Sequence, residues 1–376
     1  MANYGQFLLQ VRIPGGIIDI KNPTPGIIIN HPKGKNVYKG VPKDYTGNAV
    51  TPKNFIAILK GDKEALHGIG SGRVLESGPN DHVFIYFADH GLPGAIGFPS
   101  EELSATQLNK TISYMYKKKM YGKMVIYLEA CESGSMFENI LPRNINVYAT
   151  TAANGEESSY ACYHDEKLNT YLGDYYSVNW LEDSDKKILA QETLHQQFEI
   201  VKSKTNRSHV QQYGDLKMGH LHLSEFQGRK NSEHIILPEV EMDLVRSRDV
   251  PTEIVKRKYM SSNSVDQKAI LLKKLYKMLR NRQYLFEKMS VIVTEIFDDQ
   301  EQETDVKENY YKLRNFECYD EIREYFNEEC FSLSKNEYAM SFMYILVNLC
   351  EKGIAPELSM MAMERVCDHP SVYGII

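Results

Sequence analysis

The chain has 376 residues, with 50 acidic against 44 basic and a formal net charge of -6. That length suits two domains with substantial cores, and the acidic balance argues against a nucleic-acid partner, which would show a basic footprint. Hydrophobic residues at 42% and charged residues at 25% are globular proportions, and no apolar run is long enough to span a membrane.

The opening residues lack the basic region and long apolar run of a signal peptide. Residues 7–13 are one strand candidate. The first 230 or so residues alternate short apolar runs with amphipathic stretches, which predicts an α/β domain with a mostly parallel sheet flanked by helices. Residues 82–88, rich in β-branched and aromatic side chains, read as a buried strand, and 123–128 as a second. Between them Leu108, Ile112 and Met115 recur at helical spacing within 104–119, with Gly122 as a stop. Residues 146–150 read as a third strand.

From 226 to 267 charges are dense, and Pro238 and Pro251 are expected to interrupt any helix, leaving an exposed connector. Beyond it Leu271, Leu275, Met278, Leu285, Met289, Ile292 and Ile296 keep helical spacing, with Arg282 as one break. Further helices are expected at 310–314, 320–331 and 338–350. The predicted units are therefore 1–230, a linker over 231–267, and an all-α module over 268–376.

The first strand runs into Asp89-His90-Gly91 and the second into Glu129-Ala130-Cys131. Both tips of a parallel sheet lie at its carboxyl edge, where open α/β folds place their sites. One crossover would bring His90 beside Cys131, an arrangement suited to a cysteine nucleophile with an imidazole partner. The backbone N–H groups of Gly91 and Cys131 would face an oxyanion. Taken alone the pair is modest, because buried cysteine is most often a small apolar residue. Four other cysteines, Cys318, Cys330, Cys350 and Cys367, crowd the last sixty or so residues without CxxC spacing. They read as two disulfides rather than a zinc site, with three connectivities open.

Longer runs narrow the reading. Residues 22–26 (NPTPG), 40–47 (GVPKDYTG), 129–136 (EACESGSM), 148–154 (YATTAAN), 158–162 (SSYAC) and 171–174 (YLGD) resemble the legumain, or asparaginyl endopeptidase, family of caspase-like cysteine peptidases. The resemblance runs from about Asn22 to the last residue. It implies a caspase-like sheet, a cysteine endopeptidase cleaving after asparagine, and more weakly after aspartate at acidic pH. Cys131 would be its nucleophile, His90 its histidine and Gly91 an oxyanion donor. Glu129, Ser158, Ser159 and Asp174 would line the asparagine pocket. Carboxylates there accept from the carboxamide NH₂, and a cation would be needed to meet its carbonyl.

The helical tail resembles the family's prodomain, which covers the site and leaves after cleavage at acidic pH. The resemblance pairs Cys318 with Cys350 and Cys330 with Cys367, and makes Asn263 the self-processing point. Expected partners are protein and peptide substrates, the chain's own prodomain and cystatin-type inhibitors, with no cofactor or metal. The lysosome, endosome or vacuole is the expected location. Family members also carry an earlier strand whose loop supplies an asparagine orienting the histidine, and an arginine and histidine of the pocket. Nothing before Asn22 matches it. The chain therefore reads as N-terminally truncated relative to the family, and an inactive product acting at most by binding is the alternative expectation.

Smaller signals weigh less. Asn109 and Asn206 fit the glycosylation pattern. His220 and His222 would need further ligands to hold a metal. Lys60-Gly61-Asp62 is a chance-level tripeptide, and Lys117 to Lys119 a solvated helix end.

Overall fold

The computed structural model describes residues 24, 26–228 and 240–376; the strand candidate at 7–13 lies outside them. In chain order the helices and strands are α1 (Pro52–Leu59), β1 (His82–Ala88), β2 (Gly91–Leu92), β3 (Ala95–Gly97), β4 (Glu102–Ser104), α2 (Ala105–Lys117), β5 (Lys123–Glu129), β6 (Val147–Thr151), β7 (Tyr160–Asp165), β8 (Thr170–Asp174), α3 (Tyr175–Lys186), α4 (Leu194–Lys204), β9 (Gln211–Gly214), β10 (Val245–Arg246), α5 (Val250–Ser261), α6 (Val265–Thr294), α7 (Gln300–Glu308), α8 (Phe316–Tyr325), α9 (Met343–Glu351) and α10 (Pro356–Val366).

Among the described residues the main sheet has the order β1-β5-β6-β9. Its first three strands are parallel and β9 is antiparallel. Alternation along the strands explains why helices cover both faces. Val83, Phe87, Met124, Ile126 and Leu128 point into a core shared with Phe55 of α1 and Leu108, Ile112 and Met115 of α2. Their neighbours Val125, Tyr127 and Tyr148 face Tyr176 and Trp180 of α3 and Phe198 of α4. Ser104 caps α2 by accepting from the Gln107 N–H, and Thr193 with Gln196 closes a capping box on α4.

Of the segment expected to be an exposed connector, residues 229–239, with Pro238, lie outside the described residues, and most of 240–255 is packed. β10 pairs antiparallel with β7. Pro251 sits in the first turn of α5, where its missing N–H has no intrahelical role, so it opens the helix rather than interrupting one. Arg282 does not break α6. It is buried in the apolar series, and its guanidinium bonds Asp249 Oδ1 at 2.7 Å and the carbonyls of Arg248 and Ile376 at 2.8 and 3.0 Å.

In the tail, 310–314 is not helical but an irregular link, where Tyr311 N–H donates to Asn348 Oδ1 at 3.0 Å. Asn309 and Asn315 bracket that link, the first at the C-cap of α7 and the second at the N-cap of α8. Helices α7 and α10 were not anticipated. Disulfides join Cys318 to Cys350 and Cys330 to Cys367, across the core formed by α6, α8, α9 and α10. Leu92 and Ala95 of the β2–β3 hairpin belong to that core too, so the tail is docked on the α/β domain through shared apolar contacts.

Candidate functional site

The parallel register pairs Ala88 with Glu129, and the Asp89 N–H donates to the Glu129 carbonyl at 3.1 Å. The two chain segments therefore leave the same sheet edge side by side. A Cβ on Gly91 would lie 2.0 Å from the Cys131 carbonyl oxygen and 2.9 Å from the Ala130 Cβ. Only glycine permits that approach. Glu132, next to Cys131, takes the left-handed conformation at φ 47, turning the chain into the short helix Ser133–Met136.

Cys131 is 2% exposed. Its Sγ lies 3.2 Å from Ser158 Oγ, 3.6 Å from Ser159 Oγ and 3.3 Å from the Ser159 N–H, which donates to it. Burial pushes the thiol up, against the guanidinium of Arg248 and the serine hydrogen bonds, with Glu132 adding to the rise. A thiol so placed stays protonated and is a poor nucleophile.

Beside it opens a cavity of about 180 Å³ lined by Asp89, His90, Glu129, Ser159 and Asp174, with Ser247 and Val250 contributed by the former connector. Of the residues expected around the pocket, Ser158 lies against Cys131 instead of on this lining. Glu129 is fully enclosed. Its Oε2 accepts from the Ser177 N–H at 2.9 Å and Ser177 Oγ at 2.8 Å, while Oε1 has no partner. Burial first, then the Asp174 charge, push its carboxyl up to about 8.

The site is covered by the chain's own later segments. Ser247, just after β10, donates its N–H to the Ser159 carbonyl at 3.0 Å, and the two hydroxyls lie 3.0 Å apart. The largely enclosed guanidinium of Arg248 grips both carboxylate oxygens of Glu132, at 2.8 and 2.5 Å, and the Gly91 carbonyl at 3.0 Å. Burial, more than the guanidinium can offset, raises the Glu132 carboxyl to about 7. From the helical tail, Glu337 sets a carboxylate oxygen 3.3 Å from His90 Nε2. Sequence reasoning missed Ser177, Arg248 and Glu337. Arg248 sits in a polar run that carries no local signal; Glu337 is brought in only by the tail's docking.

Other expected positions sort by exposure. Asn263 is exposed between α5 and α6. Asn206 is exposed, whereas Asn109 is buried and its amide donates to the carbonyls of Ala105 and Met136, both at 2.9 Å. That placement counts against a glycan at Asn109. Neither His220 nor His222 joins a metal-ligating group among the described residues.

Residues 17–229 match the family described as Peptidase C13 family, and residues 273–367 match the one described as Legumain, prodomain. The chain is 52% identical to the legumain of Homo sapiens, over 92% of this chain and 81% of that protein. It is 41% identical to the hemoglobinase of Schistosoma japonicum over the same shares, and 37% identical to the vacuolar-processing enzyme delta-isozyme of Arabidopsis thaliana, over 92% and 79%. With Cys131 and His90 at one sheet edge, a family match over more than half its length and relatives of this identity, the chain belongs to the peptidase C13 family, a cysteine endopeptidase carrying a legumain prodomain.

Proposed function

We infer that this endopeptidase hydrolyses bonds after asparagine, that its covered form is a zymogen matured by its own cut after Asn263, and that it works in a lysosomal, endosomal or vacuolar compartment. Cystatin-type inhibitors are proposed partners on family grounds. The observation that carries the specificity is Glu129, which lines the cavity beside His90 and keeps a buried Oε1 without a hydrogen-bond partner. With its carboxyl at about 8, Glu129 is protonated at acidic pH and presents one O–H donor as well as acceptors. A neutral carboxamide then finds a donor for its carbonyl at Glu129 and an acceptor for its NH₂ at Asp174. An aspartate substrate fits once its own carboxyl is protonated, which ties that weaker cleavage to low pH.

In the reaction His90 takes the Cys131 thiol proton as Sγ attacks the scissile carbonyl carbon, and passes that proton to the leaving amine as the C–N bond breaks. Water then hydrolyses the thioester, returning the thiol. The N–H groups of Gly91 and Cys131 would stabilise the oxyanion. The test uses fluorogenic tripeptides ending in asparagine, aspartate, glutamine or lysine, assayed at mildly acidic pH after acid incubation of the full chain. The asparagine peptide should turn over fastest, and Cys131→Ser should lose turnover by several orders of magnitude with its thermal midpoint kept. Faster cleavage after another residue would overturn the specificity. Silence from a folded protein would favour the binding-only alternative.

A further inference from the structure

Helix α6 carries a second apolar surface that its packing does not explain. Its inner face, with Leu271, Met278, Leu285, Met289 and Ile292, is buried. On the outside Val265, Leu272, Tyr276, Leu279 and Phe286 are 83%, 50%, 69%, 50% and 45% exposed. Val265, Leu272, Leu279 and Phe286 recur every seven residues and Tyr276 falls between, so the five form one stripe about 30 Å long. Solvent-facing helix positions are normally polar, so a continuous stripe marks a contact surface.

What covers it is indicated by charge. α6 holds seven lysines and arginines against two acidic residues, in a chain whose net charge is -6. Lys273, Lys277 and Arg280 lie along one edge of the stripe and are exposed. No ion pair to a described residue holds them, although other lysines of the tail, Lys307 and Lys312, are paired. A second copy is a poor occupant, because antiparallel pairing of two stripes would bring the cationic edges together. An anionic bilayer meets both features: phosphates for the cationic edge and an apolar boundary for Leu272, Leu279 and Phe286. No described helix is long and apolar enough to cross a membrane, so α6 would lie in the surface plane.

We propose that the outer face of α6 binds anionic lipid surfaces, with the stripe in the headgroup boundary and Lys273, Lys277 and Arg280 on the phosphates. The full chain is mixed with vesicles of phosphatidylcholine alone, or of phosphatidylcholine with phosphatidylserine, and the bound fraction is read by flotation. Binding should require phosphatidylserine and fall as salt rises. Leu272→Glu with Leu279→Glu should abolish it. Lys273→Gln with Lys277→Gln should weaken it on the order of tenfold; all four side chains are exposed, so the fold and peptide cleavage should be unchanged. Absence of binding, equal binding to neutral vesicles, or unaltered binding by both variants would overturn the proposal. A dimer in light scattering that is lost in the leucine variant, without vesicle binding, would assign the stripe to a second copy instead.

Discussion

At the scale of residues, the site rests on two close approaches and one buried acid. His90 and Cys131 stood out as candidates because each follows an apolar strand at once, and strand tips are where a parallel sheet exposes chemistry; that signal is modest alone, and the family resemblance carried the assignment. Gly91 was legible as a candidate donor, but the contact that demands glycine, its 2.0 Å approach to the Cys131 carbonyl, belongs to the register of two strands. Glu129 was named from family likeness; its physical state was not visible, because enclosure and the Ser177 bonds come from α3 folding over the sheet edge. That state has a stability consequence. With the folded carboxyl near 8 and the unfolded one near 4.5, the folded chain holds a proton that the unfolded chain has lost between those values. Stability therefore falls as pH rises through that window, and the penalty is complete above it. Glu129→Gln removes the titration. Its thermal midpoint should rise relative to the parent as pH increases, by up to a few kcal/mol in free energy at about 1.4 per pKa unit, and the two should converge in acid. A pH-independent difference would mean that the folded chain holds Glu129 as a carboxylate, and the donor role assigned to it would fall.

At the scale of elements, the instructive case is the stretch from β10 to α6. Its polarity and two prolines suggested an open connector, yet polarity was the means of docking. Two arginines carry its contacts, Arg248 on Glu132 and Arg282 on Asp249 and two carbonyls, and such contacts leave no apolar periodicity to read. Arg248→Ala leaves Glu132 buried without its countercharge, which should destabilise the covered chain by roughly 3–5 kcal/mol. Turnover of a small peptide by the uncleaved chain should rise with it. The loss should be greatest above about pH 7, where Glu132 is ionised, and smaller in acid, where a proton relieves it.

The same linkage bears on how acid acts on the cover. Burial under the cover raises the Glu132 carboxyl to about 7, above its value once exposed to water. Falling pH therefore favours the covered form through this group. That places more weight on cutting the chain. Asn263 lies in the exposed turn between α5 and α6, flanked by Ser262 and Ser264. Asn263→Ala should slow self-processing in a time course read on a gel, without changing peptide cleavage by the mature enzyme. Unchanged processing would move the cut elsewhere.

At the scale of the molecule, the α/β domain and the disulfide-linked tail share one apolar core across the β2–β3 hairpin. The fold class and the helical character of the tail were readable from periodicity, since each unit buries its own stripes. The docking was not, because Leu92 and Ala95 look the same in sequence whether they face their own sheet or a helix some two hundred positions away. Several contacts fix the docked pose besides that core. Thr106 Oγ1 donates to Asp320 Oδ2 at 2.6 Å, Lys312 pairs with Glu138 at 2.7 Å, and buried Arg323 approaches Glu102 at 4.0 Å. At the hairpin turn a Cβ on Gly94 would come 2.6 Å from Cδ2 at the end of the Leu313 side chain and 3.3 Å from the Tyr319 ring, so the tail side chains would have to give way. Gly94 also has φ +65, so Gly94→Ala carries two separable penalties. The backbone strain, about 1–2 kcal/mol, is present with or without the tail. The steric clash exists only when the tail is docked. The substitution should therefore raise peptide turnover by the uncleaved chain, as a fraction of molecules open, and leave turnover by the tail-free enzyme close to the parent's. Equal changes before and after tail removal would place the effect in the hairpin itself, and the turn would not be what holds the tail over His90.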